Sequence, residues 1–199
     1  QAEFLNKKIF WLETNQEENW HLTAKTLKEH CLKNVGNKLL ILNSPNNPTG
    51  TNNDDMEKIG EVCKEFKIIV LSDEIYSELD FLGNYKSITH FYPEGTIISS
   101  GLSKWCGAGG WRLGHFVIPN ELKELGNSLK VLASETFSSV SAPIQYAAIA
   151  AYKNDHNNYI NSSRNILKII GEYVYENLKS NKVLLNKPQG GFYLMPEFL

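Results

Sequence analysis

The chain has 199 residues, with 20 Lys and Arg against 22 Asp and Glu, a net charge of −2. That near-neutral balance argues against a nucleic acid or an anionic membrane surface as the main partner. At 42% hydrophobic and 21% charged residues, the chain is too apolar for a disordered one. It is long enough for one large domain, or for one domain and part of another.

The opening, Gln1-Ala-Glu-Phe4, carries no initiator Met, basic n-region or apolar h-region, so the chain is expected to begin inside a longer protein. Residues 7–12 read as a strand, and Trp11 and Trp20 as packing aromatics. Thr23 is an N-cap for a helix running to about Lys33. Residues 38–43 (KLLILN) form a short continuous apolar run, suited to a buried parallel strand. Met56, Ile59, Val62, Cys63 and Phe66 recur at helical spacing over residues 54–66. Residues 67–72 (KIIVLS), 96–101 (TIISSG) and 115–118 (HFVI) supply three more strands. This rhythm is that of βαβ units, with helices covering a mainly parallel sheet. Residues 121–135, 142–152 and 159–181 then read as successive helices. A Pro188-Gln-Gly-Gly turn and a short strand over 192–195 follow. Residues 134–143, rich in hydroxyls, join the first two of those helices as a capped loop. Cys31, Cys63 and Cys106 lie far apart, read as reduced thiols, and form no cluster with metal-ligand spacing. No apolar run is long enough to span a bilayer.

Three polar segments lie where strands end, which is where open α/β sheets bind ligands. Residues 38–43 run into Ser44-Pro-Asn-Asn-Pro-Thr-Gly50, residues 67–72 into Asp73-Glu-Ile-Tyr76, and residues 96–101 into Leu102-Ser-Lys104 and Gly110-Trp-Arg-Leu-Gly114. An amide, a carboxylate, a phenol, an amine and a guanidinium thus meet near one crevice, a grouping suited to a phosphorylated, nitrogen-containing aromatic cofactor. Singly, each has a plainer reading. Asn47 favours a turn before Pro48, Asp73 caps a helix, Tyr76 packs in a core, Lys104 is solvated, and Arg112 pairs with an acid. His115, inside a strand, reads as a packed histidine.

NNPTG, SDEIY, and GLSK followed by GGWRLG resemble the class I/II, fold-type I aminotransferases, which depend on pyridoxal 5'-phosphate (PLP). The resemblance covers nearly the whole chain, with Lys104 and Arg112 eight residues apart. It implies a three-layer αβα architecture around a mainly parallel sheet, incomplete here. Residues 1–160 would be a partial large domain binding PLP. Residues 161–199 would be a connecting helix and the start of a small α+β domain, entered through Gly190-Gly-Phe-Tyr193.

In that family Lys104 would form the Schiff base and move the proton. Asp73 would pair with the pyridine N–H⁺, which makes the ring a better electron sink. Asn47 and Tyr76 would bind O3′, and Arg112 would bind the phosphate with Ser100 or Ser103. Gly101 stands where many members place a serine, so the choice between those two stays open. The reaction implied is amino-group transfer from an amino acid to a 2-oxo acid, in a homodimer, with a cytoplasmic or organellar site. A carbon–sulfur lyase of the same fold would use the same residues. The third alternative is a non-catalytic folding or dimerisation module, because the family's ring-stacking aromatic and carboxylate-binding Arg are expected outside residues 1–199.

Overall fold

The computed structural model describes residues 2–199. Strand β1 (Leu39–Asn43) pairs in parallel with β2 (Ile69–Asp73), and β2 with β3 (Thr96–Gly101); β4 (Gly114–Val117) is antiparallel to β3. The order across the sheet is β1-β2-β3-β4, with Asn43 opposite Asp73 and Asp73 opposite Ser99. The polar ends of the three parallel strands are therefore neighbours.

Helix α1 (Ala24–Lys33) starts where expected: Thr23 Oγ1 accepts from the Thr26 amide at 3.1 Å. Its Ala24 amide also donates to Asp55 Oδ2 at 2.8 Å, which fastens α1 to the start of α2 (Met56–Glu65). Met56, Ile59, Val62 and Cys63 form the buried stripe of α2. They meet Leu40, Leu42 and Val70 from one face of the sheet and Leu27 and Cys31 from α1. Each fully buried aliphatic chain contributes roughly 1.5–3 kcal/mol. Burial pushes the Cys63 thiol up to about 12, so it packs as a small apolar side chain; all three cysteines are free.

A second cluster lies beyond the strand ends. Tyr76, Leu79, Leu102, Trp105 and Ala108 pack with Ala148 and Ala151 of α4 (Ala142–Lys153), and with Ile160 and Leu167 of α5 (Asn157–Leu178). Helix α3 (Lys123–Thr136) follows β4. The sheet's other face is open at β1, where Leu39 and Ile41 are 60% and 68% exposed. The layer opposite α1 and α2 is thus incomplete, as the resemblance implied. No helix among the described residues is long and apolar enough to cross a membrane.

Two predicted strands are absent. Residues 7–12 form no strand, because Phe10 packs edge-on against His30 of α1 (4.6 Å) and Leu12 against the first cluster. That packing satisfies their alternation without a sheet neighbour. Residues 192–195 are irregular, since the backbone leading into them is bound to Gly50 and Leu79. The small two-stranded sheet forms instead from β5 (Val183–Leu184) and β6 (Glu197–Phe198).

Candidate active site

The loop after β1 is built on Asn43. Its Nδ2 donates to the Asp73 carbonyl (2.9 Å) and its Oδ1 accepts from the Asn47 amide (2.8 Å). Asn46 Oδ1 closes the turn by accepting from the Thr49 amide (3.3 Å) and Oγ1 (3.0 Å). Both Ser44–Pro45 and Asn47–Pro48 peptide bonds are cis. Asn47 is exposed, and its Nδ2 donates to Tyr193 Oη at 3.2 Å.

At the end of β2 two carboxylates part company. Asp73 is half-buried, and its Oδ1 accepts from the Ile75 amide at 3.3 Å. Burial pushes this carboxyl up from its ordinary value, while that hydrogen bond and the nearby Lys104 ammonium pull it back. Glu74 is buried, and its Oε1 accepts from Ser72 Oγ (2.9 Å) and Ser87 Oγ (2.6 Å). Its carboxyl is also raised by burial, and the two hydroxyls oppose the shift. Tyr76 is buried, with its hydroxyl oxygen 2.8 Å from that of Tyr193.

Beyond β3, buried Leu102 and Trp105 hold the turn that presents Lys104. Its Nζ stands 5.5 Å from the ring centroids of both Tyr76 and Phe192, and its charge acts on Asp73 and Tyr193. Asn47, Asp73, Tyr76 and Lys104 therefore gather in one place. Ser100 sits in the β3–β4 ladder opposite His115. Ser103 lies under the turn at Gly109, its carbonyl 3.5 Å from where a Gly109 Cβ would stand. Arg112 follows that turn in the left-handed region (φ 55°), and its Nη1 donates to the Gly109 carbonyl at 2.6 Å. It forms no ion pair among the described residues. The sequence reading placed Arg112 and the two serines beside Lys104; in the structure no hydrogen bond ties them to the Asn47–Tyr76 group. His115 packs edge-on against Tyr152 (5.4 Å), and burial lowers its pKa.

Two concavities of about 270 and 480 Å³ lie elsewhere, one beside Met56 and Tyr85 and one over residues 120–125; neither is lined by Asp73 or Lys104. The strand-end cluster is the stronger candidate, because its amide and two phenols are joined by hydrogen bonds and its Lys104 amine acts on its Asp73 carboxylate.

Sequence reasoning gave no role to Asn43, Glu74, Asp80 or Tyr193. Asn43 is a polar residue closing an apolar strand, and Glu74 doubles an acid at a strand end. Those were usable signals. Asp80, fully buried, accepts from Asn52 Nδ2 and from the Asn84 amide, and it bridges to Gly190. Nothing local in the sequence marks it, because its partners come from three separated segments.

The aminotransferase class I and II family model matches residues 7–198. The chain is 34% identical to the aspartate aminotransferase of Bacillus sp. (strain YM-2), over 94% of this chain and 48% of that protein. It is 32% identical to the probable N-acetyl-LL-diaminopimelate aminotransferase of Bacillus subtilis, over 88% of this chain and 44% of that one. Among solved structures, alanine aminotransferase from Pyrococcus furiosus aligns with a TM-score of 0.82 and 31% identity, over 99% of this chain and 51% of that one. Thermus thermophilus aspartate aminotransferase with maleate aligns at 0.89 and 25%, over 98% and 51%. These matches and the strand-end motifs settle the class: the chain belongs to the class I and II aminotransferase family. It spans about half the length of the curated relatives it matches.

Proposed function

We propose that the protein carrying this chain is a pyridoxal-phosphate-dependent aminotransferase that moves an amino group from an amino acid to a 2-oxo acid. The observation that carries the reading is the shared location of the Lys104 amine and the Asp73 carboxylate, beside the Asn47 amide and the Tyr76 phenol.

The donor set fits the cofactor. Asp73 is a partly desolvated carboxylate whose ionised form lacks full compensation, which suits a protonated ring nitrogen. Asn47 Nδ2 and Tyr76 Oη both reach the Tyr193 oxygen, so the amide and the phenol that would hold O3′ are neighbours. Arg112, without a carboxylate partner among the described residues, offers a fork that matches phosphate. Pyridoxal phosphate bound there supplies the electron sink for charge developing at the substrate Cα.

The chain's residues then divide the work. Lys104 Nζ would hold the aldehyde carbon and, once the substrate amine has displaced it, would be the free base that moves the proton at the substrate Cα. Asp73 keeps a proton on the ring nitrogen, and Asn47 and Tyr76 hold O3′. Arg112, with Ser100 or Ser103, orients the phosphate. A homodimer belongs to the same reading, supported by the apolar residues exposed on α3 and α4, Val131, Leu132 and Ile149 among them.

The test adds pyridoxal phosphate and follows the absorbance of the bound cofactor. Wild type should develop a band that Lys104→Ala abolishes, and with an amino acid and 2-oxoglutarate it should release glutamate. An unchanged spectrum would overturn the reading. Pyruvate and ammonia from a cystathionine-like substrate would replace the transaminase with a lyase.

A further inference from the structure

Tyr193 stands at the centre of the cluster, although 117 residues separate it from Tyr76 and 146 from Asn47. We infer that Tyr193 is a positioning residue for the cofactor's O3′ site, relaying a hydrogen bond from the Asn47 amide to the Tyr76 hydroxyl so that Tyr76 presents its own proton to the site. The inference rests on the reading above.

Proton accounting fixes the first step of the relay. Asn47 Nδ2 can only donate, so Tyr193 Oη accepts there (3.2 Å). Tyr193 keeps one proton of its own, and the Tyr76 oxygen at 2.8 Å is the acceptor in reach. Either hydroxyl can donate across that distance; the relay takes Tyr193 as the donor, the direction that leaves the Tyr76 proton for O3′. Donation by Tyr193 leaves the Tyr76 proton and the second Asn47 amide proton free, and both belong to groups assigned to O3′. A hydroxyl that accepts a hydrogen bond becomes a better donor, so the relay strengthens the Tyr76 contact. The hydrogen bond to Tyr76 is also what chiefly holds the Tyr193 phenol above its ordinary pKa, with burial adding to it.

The backbone is built to deliver this phenol. The amides of Gln189 (2.7 Å) and Gly190 (3.1 Å) both donate to the Gly50 carbonyl, and the Gly191 amide donates to that of Leu79 (3.1 Å). Gly191 takes φ +68°, and a Cβ at Gly50 would stand 2.2 Å from the Tyr193 carbonyl oxygen. Residues 188–193 are thereby wedged between the loops that carry Asn47 and Tyr76. The Tyr193 ring then lies edge-on to Tyr76, centroids 5.5 Å apart.

The experiment compares wild type, Tyr193→Phe, Tyr76→Phe and the double variant, each titrated with pyridoxal phosphate. Tyr193→Phe keeps the ring packing and removes the relay. Its dissociation constant for the cofactor should rise about 5- to 10-fold, as for loss of one hydrogen bond. The pH midpoint of the bound cofactor's absorption band should move up, because a weaker donor at O3′ leaves more negative charge there for a nearby proton to pair with. In the Tyr76→Phe background the same change should move the midpoint little, since the relay has lost its receiver. Without cofactor, the Asn47 side-chain amide proton resonance should shift on Tyr193→Phe. Should that variant fail to fold, 3-fluorotyrosine at position 193, a stronger donor of nearly the same shape, should lower the midpoint. A normal wild-type band whose affinity and midpoint ignore Tyr193→Phe overturns the inference alone. A wild type that develops no band overturns the functional reading, and the inference with it.

Discussion

Neighbouring side chains Asp73 and Glu74 show how one strand end serves two purposes. Alternation sends successive residues of an extended chain to opposite sides. Asp73 therefore meets Lys104, while Glu74 goes inward to Ser72 and Ser87. The Asp73 motif was legible in the sequence because its chemistry is unusual at a strand end. The role of Glu74 was not, because its hydroxyl partner Ser87 is thirteen residues away. Both carboxyls are raised by burial, so the stability they contribute is full below the ordinary carboxylate range and falls as pH rises through their folded values. Asp73→Asn should therefore leave the cofactor-free protein as stable or slightly more so in thermal melts, while cofactor affinity falls at least about 100-fold. Glu74→Ala should cost roughly 2–4 kcal/mol in urea unfolding, through two buried hydroxyls left without their acceptor. A large loss of stability in Asp73→Asn, or none in Glu74→Ala, would contradict this division.

Strands β1, β2 and β3 and helices α1 and α2 were legible because each has a strong period and a clear stop. The direction of β4 was not, since a strand's pattern says nothing of its partner. The turn over residues 102–113 brings the chain back so closely that a Cβ at Gly101 would stand 2.5 Å from the Leu113 carbonyl oxygen. The irregular path of residues 192–195 escaped for a related reason: residues 189–191, which lead into it, are hydrogen-bonded to loops more than a hundred residues earlier. Gly50 is the point where those elements touch. Gly50→Ala must place a Cβ at φ +71° and 2.2 Å from a backbone oxygen, so the loop and residues 188–193 have to separate. The expected cost is about 1–3 kcal/mol in denaturant unfolding, with weaker cofactor binding from the displaced Tyr193. An alanine variant with unaltered affinity would show that the contact does not set the site.

For the molecule as a whole, part-buried histidines govern behaviour near neutrality. His21, ahead of α1, has a buried Nε2 without a hydrogen-bond partner among the described residues. Burial lowers its pKa from the ordinary 6.5, against the opposing pull of Asp54, Asp55 and Glu18. His115 is lowered as well, by burial alone. A lowered histidine binds fewer protons folded than unfolded, so its stability contribution is present above 6.5 and is lost as pH falls toward the folded value. Both rings are part-exposed, so each supplies only a fraction of the limiting slope of about 1.4 kcal/mol per pH unit. The melting temperature should therefore fall between pH 7.5 and 5.5 (roughly the window in which imidazoles titrate). The carboxyls of Asp73 and Glu74 act with the opposite sign, between the ordinary carboxylate range and their raised folded values. His21→Gln combined with His115→Gln should remove at least about half of the slope, as expected if these two imidazoles are the main groups titrating there. A melting temperature that rises on acidification, or a double variant that keeps the full slope, would assign the neutral-range dependence to other groups.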